Sequence, residues 1–139
     1  MHEAGHYVAL KTLGYDVCMD DIIIDKINLK GYIKHEVDVR LDDEPDALFH
    51  EMIITYAGII AEMQILGYPS GIYISYHSQD LDSNLLIRFC DRYLQINHFS
   101  PDDKNKILWQ AKMQTEELLK KENALLHQTI TELEERYLI

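Results

Sequence analysis

Cysteine is scarce in this sequence. Only Cys18 and Cys90 occur, far apart and in no C-x-x-C pair. Two such thiols cannot form a disulfide framework or the thiolate set of a structural zinc site. We therefore expect a chain that folds without disulfides in a reducing compartment, with the cytoplasm as the default location.

Positive charge and long apolar runs are also limited. The chain has 13 Lys and Arg residues and 24 Asp and Glu residues, which gives a net charge of −11. This balance disfavours nucleic acid and anionic membrane surfaces as direct partners. The longest apolar run, 52–66, contains Glu62 and Gln64 and is shorter than the roughly 20 residues of a membrane span. We expect no membrane span within this chain.

Repeats, low-complexity tracts and linkers are absent as well. A chain of 139 residues is long enough to bury a core of its own. The sequence therefore predicts one domain, residues 1–139. None of the six glycines is followed by Lys, so the chain has no Walker phosphate loop.

The first six residues contain the clearest chemical motif. His2, Glu3 and His6 fit H-E-x-x-H. Histidines four positions apart on a helix are separated by about 40° around its axis, so both can bind one divalent ion. Neutral imidazoles are zinc ligands, and an adjacent glutamate can take the proton of a water bound to that ion. The motif predicts His2 and His6 as ligands and Glu3 as a general base. A motif with only three fixed positions also occurs by chance on helices that bind no metal.

Hydrophobic periodicity predicts a mainly α fold with a small β-sheet, an α+β arrangement. A first helix over 2–13 ends at Gly14, and two or three strands follow, the first at 22–24. The pattern breaks at Gly31, and a further strand spans Tyr32–Leu41. Helices are predicted over 46–66 and 80–96. A two-helix tail then begins at the Ser100-Pro101 cap.

A catalytic zinc site needs a third protein ligand. Asp16 follows the end of the first helix and is a poor candidate. Glu62 lies in an apolar helix, where it is either a hydrogen-bond partner or part of a solvated face. Asp80 stands at a loop-to-helix junction, where it is either a ligand or only a carboxylate that backbone N–H groups stabilise at the start of a helix. His77 precedes it in a loop that the sequence predicts to run to Gln79. His77 is an alternative ligand, a substrate contact or an exposed loop residue.

Two further His-Glu pairs fail to complete the motif. His35-Glu36 and His50-Glu51 are followed by Val39 and Ile54 where a second histidine would stand. We interpret both histidines as surface or helix-cap residues.

Beyond the pentad, the chain resembles the peptidase domain of the FtsH-type ATP-dependent zinc metalloproteases. His-Glu-Ala-Gly-His at 2–6 is similar to that family's active-site helix. Ile22–Ile24 with Gly31-Tyr32 resembles its strand pair beside the cleft. The segment 56–62, Tyr-Ala-Gly-Ile-Ile-Ala-Glu, is similar to its Gly-Gly-Arg-x-Ala-Glu-Glu helix, and Asp80-Leu81 matches its Asp-Leu pair. The tail at 111–133 looks like its closing helices, so the resemblance covers nearly the whole chain.

The resemblance implies a zincin fold, Zn²⁺ as cofactor and Asp80 as the third ligand. It also implies a polypeptide substrate that an ATPase partner or module outside this chain delivers. The chain would then be a truncated or a stand-alone relative, and in the first case a missing segment would place it at the cytoplasmic face of a membrane. A homo-oligomer is a further possible assembly of this chain. Gly31, Tyr32, Glu62 and His77 are candidates for the substrate cleft or for outer contacts of the ligands.

Three departures from the family pattern bear on activity. Ser75-Tyr76-His77-Ser78 replaces a small Thr-Gly-Ala-like loop before Asp80, Ile59 replaces an arginine, and Met63 replaces the second glutamate. A catalytically weak or inactive metal-binding and interaction domain of the same fold is therefore the alternative. A zinc hydrolase that acts on other substrates is a third possibility.

The edge strand suggests how a substrate would bind. A strand beside the cleft can pair with an extended peptide through backbone hydrogen bonds. We expect Tyr32–Leu41 either to serve this role or to be an ordinary edge strand.

Overall fold

The computed structural model describes residues 2–25, 30–33, 44–65 and 77–137. The described part is mainly helical. Its five α-helices are α1 (His2–Thr12), α2 (Pro45–Ile65), α3 (His77–Ile96), α4 (Lys104–Lys121) and α5 (Asn123–Tyr137). Its two strands are β1 (Ile22–Asp25) and β2 (Lys30–Ile33), which pair antiparallel. The prediction of a mainly α fold is confirmed at this level.

Helix α1 ends where the sequence predicts, at Gly14. The backbone of Gly14 has φ 89°, a left-handed conformation that glycine adopts without a Cβ penalty. The Tyr15 N–H donates to the Leu10 carbonyl at 3.0 Å, and the Gly14 N–H donates to the Lys11 carbonyl at 3.2 Å. This pair of bonds is a Schellman motif, which satisfies carbonyls at the helix end.

The cap that precedes α4 is also confirmed. The Ser100 side chain accepts a hydrogen bond from the Asp102 N–H at 3.1 Å, and Pro101 occupies the first helical position. The chain first makes one 3-10 turn, Pro101–Asp103, and then continues as α4. The predicted two-helix tail is therefore α4 and α5, which separate at Glu122.

Helix α2 lies at the centre of the described structure. It packs against α1, α3 and α4, and α1 also contacts α5. Ile54, Ala57 and Ala61 of α2 belong to one buried cluster with α1 and α5, whereas Met52 and Ile59 belong to a second cluster with α3 and α4. Because α2 contributes residues to both clusters, it is apolar on nearly all sides rather than along one stripe.

Small side chains bring α1 and α2 close together. A Cβ added at Gly5 would lie 2.7 Å from the Ala61 Cβ and would clash with the Ala57 carbonyl oxygen. No side chain larger than hydrogen fits there unless the helices separate. Gly5 and the alanines of α2 therefore set the distance at which the His2 and His6 side chains meet α2.

Two predicted boundaries are wrong. Gly31 does not break the strand pattern, because it lies inside β2 and pairs with Ile24; glycine weakens a strand but adopts extended backbone readily. The predicted loop to Gln79 is too long, because α3 begins at His77. Polar residues such as Asp80 are favourable in a first helical turn, where they interact with the helix dipole.

Other predictions fall partly or wholly outside the described residues. Strand β2 covers only the start of the predicted strand Tyr32–Leu41, and residues 34–43 lie outside. Residues 66–76, which include most of the loop before Asp80, lie outside as well. Across the described residues, no helix is long and apolar enough to span a bilayer.

Candidate metal site

The two histidines of the pentad lie at the interface of α1 and α2. Their ring centroids are 4.6 Å apart, and the ring planes are nearly perpendicular at 84°. His2 is buried, with 8% of its surface exposed. The four-residue spacing on one helix turn brings the two rings together, and the close approach of α1 and α2 covers them.

Each ring is held at its Nδ1 atom by a group of α2. His2 Nδ1 lies 3.0 Å from Glu62 Oε2, and the two side chains are only 9% and 19% exposed. His6 Nδ1 lies 2.6 Å from the Ile54 carbonyl oxygen. A carbonyl and a carboxylate can only accept, so both Nδ1 atoms carry a proton, and in a neutral imidazole of this tautomer Nε2 is the atom that can bind a metal.

Both Nε2 atoms lie beside Gly58. A Cβ added at Gly58 would be 2.5 Å from His6 Nε2 and 2.9 Å from His2 Nε2. The Nε2 atoms of both rings, together with His6 Cε1, therefore lie against this glycine. Ile54, Gly58 and Glu62 follow one another at intervals of four residues along α2, so they share one helix face. His2 and His6 are also four residues apart on α1, and the earlier histidine contacts the later residue of α2.

The arrangement suits a divalent transition metal. Metal-bound histidines almost always donate their other ring N–H to a carboxylate or a backbone carbonyl, which fixes the tautomer and the ring direction. Both types of contact are present here, on His2 and on His6. Imidazole nitrogens are ligands preferred by zinc and by neighbouring divalent ions. Among the described residues, no group of three or more His, Cys, Asp or Glu side chains is placed to hold a metal ion.

The remaining predicted site residues lie on elements next to this pair. Glu3 is partly exposed on α1, directly after His2. Asp80 is the fourth residue of α3, and His77 is the first. Helix α3 packs against α2, and strand β2, with Gly31 and Tyr32, packs against α1. The side chains of Asp80, His77 and Tyr32 lie outside the described part of the structure.

Glu62 takes one of the two roles that the sequence leaves open. Its carboxylate contacts the His2 ring rather than forming part of an exposed helix face. Sequence reasoning missed the other two contributions of α2, the Ile54 carbonyl and the space at Gly58. A glycine four residues before a glutamate on an apolar helix is the signal that would have pointed to Gly58.

A second histidine contact lies at the other end of α1. The Tyr15 hydroxyl oxygen is 3.3 Å from His50 Nδ1, and the two rings meet edge to face at 6.0 Å. Burial, followed by the charge of Glu51, raises the pKa of Tyr15, so its hydroxyl keeps its proton at neutral pH. His50, which the sequence predicts to be a surface or helix-cap residue, is half-buried, and its ring contacts Tyr15.

We expect Glu62→Ala to weaken zinc binding by about 10- to 100-fold, the range for loss of an outer contact to a ligand histidine. Removal of the carboxylate leaves His2 Nδ1 without the acceptor that orients the ring. Glu62→Gln keeps an amide oxygen that can accept the same hydrogen bond, so its loss should be smaller. Competition titrations with a chromogenic chelator measure both affinities. Equal zinc affinity in Glu62→Ala and the unmodified chain would contradict the orienting role.

Comparisons of this chain with protein-family models, curated proteins and solved structures find no match.

Proposed function

We propose that this chain is a zinc-dependent endopeptidase domain of the FtsH type. The observation that carries the proposal is the convergence of two histidine Nε2 atoms beside Gly58, with both Nδ1 atoms held by Glu62 and by the Ile54 carbonyl. Histidines that bind a metal through Nε2 are typically held at Nδ1 by a carboxylate or a backbone carbonyl, as both rings are here.

His2 and His6 supply two ligands in this proposal, and Asp80 supplies the third. Catalytic zinc sites have three protein ligands and one open position. Glu62 contacts the far nitrogen of His2, so it orients a ligand instead of acting as one. Asp80 belongs to the first turn of α3, and α3 packs on the helix that carries Gly58 and Glu62.

Glu3 is the proposed general base. It follows His2 on the same helix turn and is partly exposed, so solvent and substrate can reach its carboxylate. It takes the proton of the attacking water and then delivers it to the departing amine, which are steps that a positioned carboxylate can perform. Bound zinc would supply Lewis acidity toward the scissile carbonyl and the attacking water.

The substrate class is unfolded or delivered polypeptide. Strand β2 packs against α1, so an extended peptide that adds to this sheet would run close to the pentad. An ATPase partner or module outside this chain would deliver the substrate, and cleavage without it is expected to be slow. The cytoplasm, or the cytoplasmic face of a membrane, is the proposed location.

We expect Asp80→Ala to reduce zinc affinity by more than about 100-fold, beyond the range for an outer contact. The unmodified chain should bind about one zinc ion, as expected for a single catalytic site. Elemental analysis after dialysis, together with chelator competition, measures both quantities. Proteolysis of casein by the zinc-loaded chain, blocked by EDTA, tests the activity itself.

Asp82→Ala is the matched control for this experiment. Asp82 lies two residues further along α3, and two residues correspond to about 200° around a helix, so it cannot share a ligand position with Asp80. We expect this variant to keep its zinc. Full zinc retention in Asp80→Ala would refute the assignment of the third ligand.

A further inference from the structure

Gly58 lies on the face of α2 that contacts the two histidine rings. It lies midway between Ile54 and Glu62, the two residues that hold the histidine rings at Nδ1. The three heavy atoms nearest to a Cβ added at Gly58 all belong to the imidazoles of His6 and His2. Gly58 therefore makes room for two imidazole rings of α1, whereas the Cβ added at Gly5 would meet Ala57 and Ala61 of α2.

Helix propensity makes the glycine costly. Glycine in a helix interior is less favourable than alanine, because it loses more backbone freedom on folding. Position 58 lies well inside α2, which spans Pro45–Ile65. Alanine would be the better residue there if the rings did not occupy the neighbouring space.

We propose that Gly58 is a positioning residue for the metal site, an inference that rests on the proposed function. Its missing side chain leaves room for both imidazole rings, whose Nε2 atoms lie next to this position. A methyl group at this position would lie 2.5 Å from His6 Nε2 and 2.9 Å from His2 Nε2. The rings would have to tilt away, and they would then lose either their common direction or their Nδ1 contacts.

The first experiment compares Gly58→Ala with Gly14→Ala. Gly14 has open space around its Cβ position but a φ of 89°, so alanine there costs stability through the backbone alone. We expect Gly58→Ala to bind zinc about 10- to 100-fold more weakly, as when ligand orientation is lost. The visible absorption bands of the cobalt-substituted protein should also change. Gly14→Ala should keep the affinity and the cobalt spectrum of the unmodified chain, even though its melting temperature falls.

Identical zinc affinity and identical cobalt spectra in Gly58→Ala and the unmodified chain would overturn this inference while leaving the proposed zinc site intact. Failure of the unmodified chain to bind zinc would instead count against the proposed function. The two proposals therefore fail in different measurements.

The second experiment uses metal-free protein and a double-mutant cycle with His6→Ala. His6 contributes the two closest atoms to the added methyl group, so the two substitutions should be strongly coupled. We expect Gly58→Ala to lower the melting temperature by about 5 °C or more, as an overpacked site does. In the His6→Ala background the loss should shrink or become a gain. Folding of the double variant where Gly58→Ala alone fails to fold would support the inference, and an equal loss in both backgrounds would refute it.

Discussion

Replacing Glu3 with Gln is expected to reduce casein cleavage by about 100-fold to 10,000-fold, the range for loss of a general base. Zinc content should stay at the level of the unmodified chain, because Glu3 is not a proposed ligand. The amide of Gln cannot take a proton from water, yet it has nearly the same size as the carboxylate. The change therefore removes the chemistry of the side chain and keeps its shape.

Two measurements are needed together, namely zinc per chain and the initial rate of cleavage of labelled casein. Glu134→Gln is the matched control, since Glu134 is exposed on α5, and it should change neither quantity. Loss of zinc together with activity in Glu3→Gln would contradict the role of base and indicate a ligand. A zinc-loaded unmodified chain that leaves casein intact would favour the alternative, a metal-binding interaction domain.

The helical part of the fold could be predicted because its boundaries depend on local chemistry. Gly14 supplies the left-handed residue that ends α1, and Ser100 with Pro101 supplies the cap before α4. Such signals act within a few residues, so no tertiary knowledge is needed to interpret them. Gly31 shows the limit of this reasoning, since the same residue type lies inside a paired strand when a neighbouring strand supplies the hydrogen bonds.

The candidate site could be predicted only in part, for a similar reason. The spacing of His2 and His6 on one helix determines that the rings are neighbours, whatever packs around them. The acceptors of their Nδ1 protons come from residues 48 and 60 positions away in the chain. One of these acceptors is the backbone carbonyl of Ile54, which every residue type carries, so the sequence contains no sign of it. Glu62, in contrast, could be predicted as a hydrogen-bond partner, because a carboxylate in an apolar helix is costly to bury unless it is hydrogen-bonded.

Zinc is expected to raise the melting temperature of the unmodified chain by about 10 °C or more when free zinc exceeds its Kd about 1,000-fold. A ligand that binds only the folded state stabilises it by about 4 kcal/mol at that excess, and each kcal/mol corresponds to several degrees for a domain of this size. The proposed ligands belong to α1 and α3, and both helices pack on α2. Bound zinc would therefore link elements that meet only in the folded chain.

His6→Ala should abolish this shift, because it removes one of the two converging Nε2 atoms. His127→Ala is the matched control, since His127 is exposed on α5, and it should keep the full shift. Thermal melts followed by circular dichroism, with zinc and then with excess EDTA, measure the effect and its reversal. A shift that persists in His6→Ala would mean that zinc binds elsewhere on this acidic surface. Loss of the shift in His6→Ala alone would tie the stabilisation to the histidine pair beside Gly58, the feature from which the enzymatic proposal is built.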